Sequence, residues 1–86
     1  MKLWAKIIQD HKIINDTILE TDLELTFPSY LDILNEVAYK LDIPSPLYLK
    51  SDFKHLRSYG IQRYRQTSFV EEIRFDYLEI ERLKTK

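Results

Sequence analysis

The stretch 30–41 constrains the fold most, because its apolar residues recur with the period of an α-helix. At about 100° per residue these apolar residues occupy one broad side, and the polar residues occupy the other. The apolar side holds Tyr30, Leu31, Ile33, Leu34, Val37, Ala38 and Leu41. So wide an apolar side must cover another element. We therefore predict a helix over residues 30–41, capped by Ser29, that packs on one face of a sheet.

Segments near both ends of the chain supply that sheet. Residues 2–10 alternate between two faces, and the β-branched run 13–21 follows a short polar break, so we predict two strands joined as a hairpin. Residues 72–83 are predicted as the last strand. The apolar positions of that strand change parity, which predicts a β-bulge or a bend near Asp76 and Tyr77. We expect the first strand to pair with the last.

The middle of the chain is predicted to contain shorter secondary-structure elements. Residues 47–50 follow a loop with two prolines and are expected to form a third strand. Residues 52–59 are predicted as a second helix, which Ser51 caps and Gly60, the only glycine, ends. Residues 61–66 fit either a strand or a loop.

Together these elements predict an α+β fold. The expected architecture is a small, largely antiparallel sheet in the order β-β-α-β-(α)-β, with one long helix packed on a face and a second short helix. Residues 23–27 alternate as well and are predicted as extended chain leading to the long helix. With 86 residues and no visible linker or repeat, residues 1–86 are expected to form a single domain.

Composition limits the class of function. The absence of cysteine excludes a disulfide framework and thiolate metal sites and fits a reducing compartment, so we expect a cytoplasmic protein. No apolar run has the length or setting of a signal peptide or a membrane span. With 13 basic and 14 acidic residues the net charge is −1, which gives no overall attraction to nucleic acid or anionic lipid.

The sequence contains no recognisable catalytic or metal-binding pattern. His11 and His55 lie far apart, and neither belongs to a His-Glu-x-x-His motif. The glycine-rich loops that hold phosphate groups need more than one glycine and are excluded. We predict no enzymatic activity, no cofactor and no metal.

Large apolar side chains on polar faces lead to the first hypothesis of function. Trp4 and Ile8 share a strand face with lysines, and Tyr39 lies on the polar side of the long helix. The favoured interpretation of the rings is that the second helix and its loops cover that face of the sheet. The alternative is an exposed apolar patch that meets a protein partner or a second copy. Our leading hypothesis of function is a protein-protein interaction module, including a homodimer, with Trp4, Ile8 and Tyr39 as candidate interface residues.

A basic segment supports a second hypothesis, nucleic-acid binding. Residues 50–65 combine basic side chains with tyrosines and contain a single acidic residue, Asp52. Nucleic-acid binders use positive charge for phosphates and rings for stacking. The candidate contacts are Lys50, Lys54, Arg57, Arg63 and Arg65. The same charges can instead pair with the acidic stretch 13–39 within the fold or across a dimer.

Three stretches taken together resemble a known group of proteins. They are Leu-Trp-Ala-Lys-Ile at 3–7, Asp-Ile-Pro-Ser-Pro-Leu-Tyr-Leu-Lys at 42–50 and Phe-Val-Glu-Glu-Ile-Arg-Phe-Asp-Tyr-Leu-Glu-Ile at 69–80. The chain resembles short proteins of the Firmicutes that have no assigned function. The resemblance spans nearly the whole chain and implies a single domain, and it carries no active-site residues.

Overall fold

A computed structural model describes residues 2–20, 26–47 and 49–83. Its elements are, in chain order, β1 (Lys2–Gln9), β2 (Lys12–Glu20), α1 (Phe27–Leu41), α2 (Lys50–Tyr59), β3 (Ile61–Arg65), a 3-10 turn (Gln66–Ser68) and β4 (Tyr77–Leu83). The four strands form one antiparallel sheet in the order β2-β1-β4-β3. The predicted α+β class is confirmed, and the first strand pairs with the last as expected.

The predicted hairpin of β1 and β2 is confirmed, and its turn has a definite geometry. Asp10 and His11 form a two-residue loop in which both φ angles are positive, 53° and 64°. This is the type I′ pattern, whose twist matches that of the flanking strands. The backbone N–H of Asp10 donates to the Asp76 carboxylate at 2.9 Å, so the chain entering β4 braces the turn. Position 21, at the end of the predicted second strand, lies outside the described residues.

The long helix begins earlier than predicted. Thr26, not Ser29, is the N-cap, because its hydroxyl accepts a hydrogen bond from the Ser29 backbone N–H at 3.3 Å. Proline in the first turn is compatible with this start, since the N–H groups there have no partner within the helix. The extended chain predicted over 23–27 is therefore wrong at Phe27, and 23–25 lie outside the described residues. The helix ends at Leu41, as predicted, with Asp42 in the left-handed conformation at φ 55°.

The third strand predicted at 47–50 is wrong. Leu47 is in irregular chain, and its N–H donates to the Ser68 carbonyl at 2.6 Å, while Lys50 already begins α2. The Asp52 carboxylate decides the local structure, because it accepts the Leu49 N–H at 2.9 Å and so closes the first turn of the helix. The cap is accordingly Leu49, and Ser51 lies inside the helix. Position 48 lies outside the described residues.

The third strand is instead β3, from the segment that fitted strand or loop. Gly60 ends α2 as predicted: its φ is 76°, and its N–H donates to the Leu56 carbonyl at 2.7 Å. The last strand is shorter than predicted, because only Tyr77–Leu83 pairs with neighbours. The change of parity coincides with a bend at residues 74–76, directly before β4, so the bend that was predicted as the alternative to a bulge is confirmed. The register shift of this sheet lies between Ile7 and Ile8, opposite β2.

Both helices pack on the same face of the sheet, which we call the inner face. Their apolar side chains and the inward residues of all four strands form one core. Its buried members are Leu3, Ala5, Ile7, Leu19, Tyr30, Ile33, Leu34, Val37, Leu41, Phe53, Leu56, Tyr64, Phe69, Leu78 and Ile80. The expectation that the second helix covers the opposite face is therefore wrong.

Candidate functional site: the open face of the sheet

The strand register defines the opposite, outer face of the sheet. On this face the even positions of β1 stand beside the odd positions of β4 and β3 and beside Asp16 and Ile18 of β2. Neither helix packs here. Two zones divide the face. We call Trp4, Ile8, Ile13, Ile14 and Ile18 of β1 and β2 the apolar zone, and Lys6, Arg63, Tyr77, Glu79 and Glu81 the charged zone.

The apolar zone exposes three isoleucines on one strand. Ile13, Ile14 and Ile18 are 48%, 55% and 54% exposed, whereas the neighbouring Ile8 of β1 is buried. The register shift allows Ile13 and Ile14 to lie side by side on this face, because a bulge sets two residues opposite one. Asp16 lies on this face between Ile18 and the pair Ile13 and Ile14, so the exposed apolar surface has two parts. Branched apolar side chains half open to water are surfaces that proteins use for contact.

Trp4 belongs to the apolar zone and is held in a fixed orientation. Its indole N–H donates to the Asp16 carboxylate at 2.7 Å, across the β1–β2 pair. The Lys6 ammonium lies 4.1 Å from the centre of its ring. A ring fixed at both its polar edge and its face loses little freedom when a partner packs against it.

The charged zone is organised around one buried carboxylate. Glu79 accepts a hydrogen bond from Arg63 Nε at 2.9 Å and pairs with the Lys6 ammonium at 2.7 Å. Lys6 also lies 3.7 Å from the Glu81 carboxylate. Lys6 and Glu79 are only 6% and 7% exposed, although no helix covers them. Neighbouring side chains of the face itself therefore shield this ion pair from water.

The electrostatics of the network follow from this geometry. Burial raises the pKa of the Glu79 carboxyl, but the hydrogen bonds and charges of Lys6 and Arg63 outweigh burial and hold that pKa below its ordinary value. The hydrogen bond to Glu79 likewise raises the pKa of the Arg63 guanidinium. Glu79 and Arg63 are therefore charged at neutral pH, and their ion pair holds β3 and β4 together on the outer face.

Tyr77 occupies the charged zone between two guanidinium groups. Arg63 and Arg65 lie 5.3 Å and 5.2 Å from the centre of its ring. The outer face as a whole is electrically balanced. Its cations are Lys2, Lys6, Arg63 and Arg65, and its anions are Asp16, Glu20, Glu79 and Glu81. With four of each sign among the described residues, this part of the face has a formal charge of zero and no net attraction for a polyanion or a polycation.

The structure separates the three candidate interface residues. Trp4 and Ile8 lie on the outer face as the alternation predicted, with Trp4 half-buried and Ile8 buried. Tyr39 is 87% exposed on α1, in the helix layer, and does not join them. Sequence reasoning missed Ile13, Ile14 and Ile18 as site residues. Their β-branched side chains were visible, but which face stays open depends on where the second helix packs.

The structure also divides the five candidate nucleic-acid contacts. Lys50, Lys54 and Arg57 lie on α2, whereas Arg63 and Arg65 belong to the outer face of β3. The two groups are thus in different layers, and one nucleic-acid strand would have to contact both layers to meet all five. Binding of nucleic acid through Lys50, Lys54 and Arg57 alone stays a prediction.

The inner layer holds one notable polar pair. The hydroxyls of Tyr30 and Tyr64 are hydrogen-bonded to each other inside the core. Burial, and then the proximity of Tyr64, raises the pKa of Tyr30, and burial raises the pKa of Tyr64 as well, so both hydroxyls stay protonated.

Among residues 2–20, 26–47 and 49–83 no group of three or more acidic or histidine side chains is placed to hold a metal ion. Neither helix in the described part of the chain has the length and apolar character needed to cross a bilayer.

Comparisons with protein-family models, curated proteins and solved structures found no match to this chain.

Proposed function

We propose that the protein is a non-enzymatic interaction module that forms a homodimer through the outer face of its sheet. One observation carries the proposal: Ile13, Ile14 and Ile18 remain about half exposed on a sheet face that both helices leave open. Branched side chains favour a strand wherever they lie, but at these three positions about half of each apolar side chain stays in contact with water. Burying them against another apolar surface stabilises a complex by the same effect that forms the core.

A second copy fits this face better than a strongly charged partner does. The outer face has four cations and four anions, so two identical faces approach each other without net repulsion. A two-fold axis over the apolar zone sets each set of isoleucines against its counterpart, which is the self-complementary contact of most symmetric dimers. Trp4 then lies beside the contact as a rigid aromatic anchor.

The free edge of β2 is a less suitable surface for the second copy. Edge-to-edge pairing needs a regular strand, and the register shift between Ile7 and Ile8 distorts β2 near Ile14. Bulges of this kind protect edge strands from pairing with other chains. Face-to-face packing uses the same isoleucines and does not require the distorted backbone to pair.

The ion-pair network of the charged zone favours a preformed interface. Lys6, Glu79 and Arg63 already satisfy one another, so association needs no new partner for a buried charge. Because these side chains are fixed before binding, little conformational freedom is lost when the complex forms. We place this activity in the cytoplasm, since a cysteine-free chain suits a reducing compartment.

The test is sedimentation equilibrium over a series of protein concentrations, with one disruptive variant and one matched control. Ile18→Lys puts a charge into the apolar zone, and Tyr39→Lys makes the same kind of change at an exposed ring in the helix layer. We expect a concentration-dependent dimer for the unmodified chain and for Tyr39→Lys, and a monomer for Ile18→Lys. Circular dichroism checks that both variants are folded.

Two outcomes contradict the proposal. A strict monomer at every concentration removes the homodimer. A dimer that Tyr39→Lys weakens as much as Ile18→Lys places the contact elsewhere than on the outer face.

A further inference from the structure

A second concave surface lies in the helix layer, between the start of α1 and α2. It is a groove of about 320 Å³, and its lining residues are Thr26, Phe27, Lys50, Phe53, Lys54 and Arg57. Both helices lie on the inner side of the sheet, so this groove is separate from the outer face. An inference about it does not depend on the proposed dimer.

Two phenylalanine rings form the floor of the groove. The centres of Phe27 and Phe53 are 5.9 Å apart, with their planes tilted by 55°. Tyr30 supports Phe53 from the core at 5.7 Å between ring centres. Phe53 is a buried member of the core with the Arg57 guanidinium 5.9 Å from its ring centre, and the partly buried Phe27 packs against that core. The floor is therefore apolar, joins the rim at Arg57, and is in place before any ligand arrives.

Three cations form the rim of the groove on the α2 side. Lys50, Lys54 and Arg57 recur at intervals of four and three residues, which places them on one side of the helix. None of them forms an ion pair with a described residue, in contrast to Lys6 and Arg63 on the sheet.

The acidic residue nearest in sequence to the three rim cations already has hydrogen-bond partners. Asp52 accepts hydrogen bonds from the Leu49 N–H and from the Gln62 amide, so both of its oxygens are engaged. Asp52 keeps its negative charge, but its two oxygens are held by Leu49 and Gln62, and the three rim cations outnumber it, so the rim carries net positive charge among the described residues.

We infer that this groove binds a small organic anion, with an apolar body on Phe27 and Phe53 and a carboxylate or phosphate head between the rim cations. Each part of the ligand matches one part of the site. An inorganic anion cannot use the apolar floor, and a neutral apolar molecule cannot use the rim. A volume of about 320 Å³ is near the lower end for small-molecule sites, so the apolar body is about the size of one aromatic ring or a short acyl chain.

A titration followed by amide NMR shifts tests this inference with phenyl phosphate as the probe. Inorganic phosphate and benzyl alcohol provide the head and the body separately, and a thymidine oligonucleotide provides a nucleic-acid strand. We expect phenyl phosphate to saturate shifts near Phe27 and Lys54 and to bind more tightly than either fragment. Equal binding by inorganic phosphate, equal binding by benzyl alcohol, or no saturable shift with phenyl phosphate overturns the inference.

Charge variants sharpen the test. Lys54→Gln and Arg57→Gln should each weaken phenyl phosphate binding by about fivefold, the effect of losing one partly solvated ion pair. Lys40→Gln removes a lysine at the far end of α1 and should leave the affinity unchanged. If the oligonucleotide binds more tightly than phenyl phosphate and responds to the same variants, the groove is a nucleic-acid site and the small-ligand inference is wrong. An unchanged affinity in both rim variants also contradicts it.

Discussion

The two faces of this sheet are made by the same strands and are stabilised by different means. On the inner face, side chains from β1, β3 and β4 meet two helices and are almost fully removed from water. On the outer face, alternate residues of the same strands meet one another across the sheet, and the buried pair there is an ion pair, Lys6 with Glu79. Because side chains alternate along a strand, the same sheet is stabilised by apolar packing on its inner face and by ion pairs on its outer face.

The difference shows how a small chain can shield a sheet face without a further layer. Trp4 and Lys6 stack, and two arginines flank Tyr77, so long side chains lie along the surface and cover the central carboxylate. This cover encloses the two central strands, β1 and β4. The outer residues of both edge strands stay open to water: the isoleucines of β2, and Arg63 and Arg65 of β3. The inner face is therefore complete in the single chain, whereas the outer face is closed only over its central strands.

The largest effect should follow from a cavity in the inner face. Ile80 is fully buried in the core, and Ile80→Ala should lower the free energy of unfolding by about 2–5 kcal/mol. Urea denaturation measures this change. Because the whole domain has a stability of only about 4–13 kcal/mol by its length, Ile80→Val serves as a milder companion with an expected loss of about 0.5–1.5 kcal/mol. A loss below about 2 kcal/mol for Ile80→Ala together with a loss below about 0.5 kcal/mol for Ile80→Val would mean that the inner face is not tightly packed.

Removal of the central carboxylate should give the next largest loss, on the outer face. Glu79→Gln leaves the buried Lys6 ammonium without its closest partner, and we expect a loss of about 2–4 kcal/mol. The matched control is Glu36→Gln, which breaks an exposed pair with Lys40 on α1 and should cost less than about 0.5 kcal/mol. Urea denaturation at low salt compares the two, and equal losses would show that the outer network is as weak as an ordinary surface pair.

Acid should weaken the outer face through the same residue. The pKa of Glu79 is lower in the folded chain than in the unfolded chain, so its contribution is fully present above the unfolded value of about 4.3. That contribution is lost as the pH falls through the lower folded-state pKa. The unfolding free energy of the unmodified chain should therefore decrease more steeply in acid than that of Glu79→Gln. Parallel pH profiles for the two proteins would contradict this assignment.

A smaller loss is expected from the polar pair of the inner face. Tyr30→Phe leaves the Tyr64 hydroxyl without the partner that it has inside the core, and the expected loss is about 1–2 kcal/mol. The double variant with Tyr64→Phe removes both hydroxyls and should lose less than the sum of the two single losses. Chemical denaturation of the four proteins gives the coupling directly, and strict additivity would show that the two hydroxyls do not stabilise each other.

The sequence predicts the inner face well because its signals are local. The period of α1, the alternation of β1 and the glycine that ends α2 are each contained in about a dozen residues or fewer. The predicted strand at 47–50 failed because a short apolar run suits a strand or an irregular segment equally. The decision there depends on one side-chain bond, from the Leu49 N–H to Asp52.

The outer face is harder to predict because its contacts join distant parts of the chain. Arg63 and Lys6 meet at Glu79 only when β3, β4 and β1 are adjacent in the correct register. Charge counting showed a basic segment but not that Arg63 is already paired. Parity placed Trp4 and Ile8 together on one face, but it does not tell which face the helices leave open.

The smallest change in stability is expected from neighbouring positions that point to opposite faces of β2. Ile18 is about half exposed on the outer face and Leu19 is buried in the core. At low protein concentration Ile18→Thr should change the free energy of unfolding by less than about 0.5 kcal/mol, whereas Leu19→Ala should lower it by about 2–3 kcal/mol. The proposed dimer would stabilise the folded chain by mass action at higher concentration, so we expect the melting temperature of the unmodified protein to rise with concentration. Ile18→Thr should reduce that rise. Leu19→Ala should lower the melting temperature at every concentration and leave its rise with concentration unchanged. Thermal melts over a concentration series therefore separate the face that stabilises the single chain from the face that we propose joins two. An equal rise of the melting temperature with concentration for Ile18→Thr and the unmodified protein would show that β2 does not take part in association.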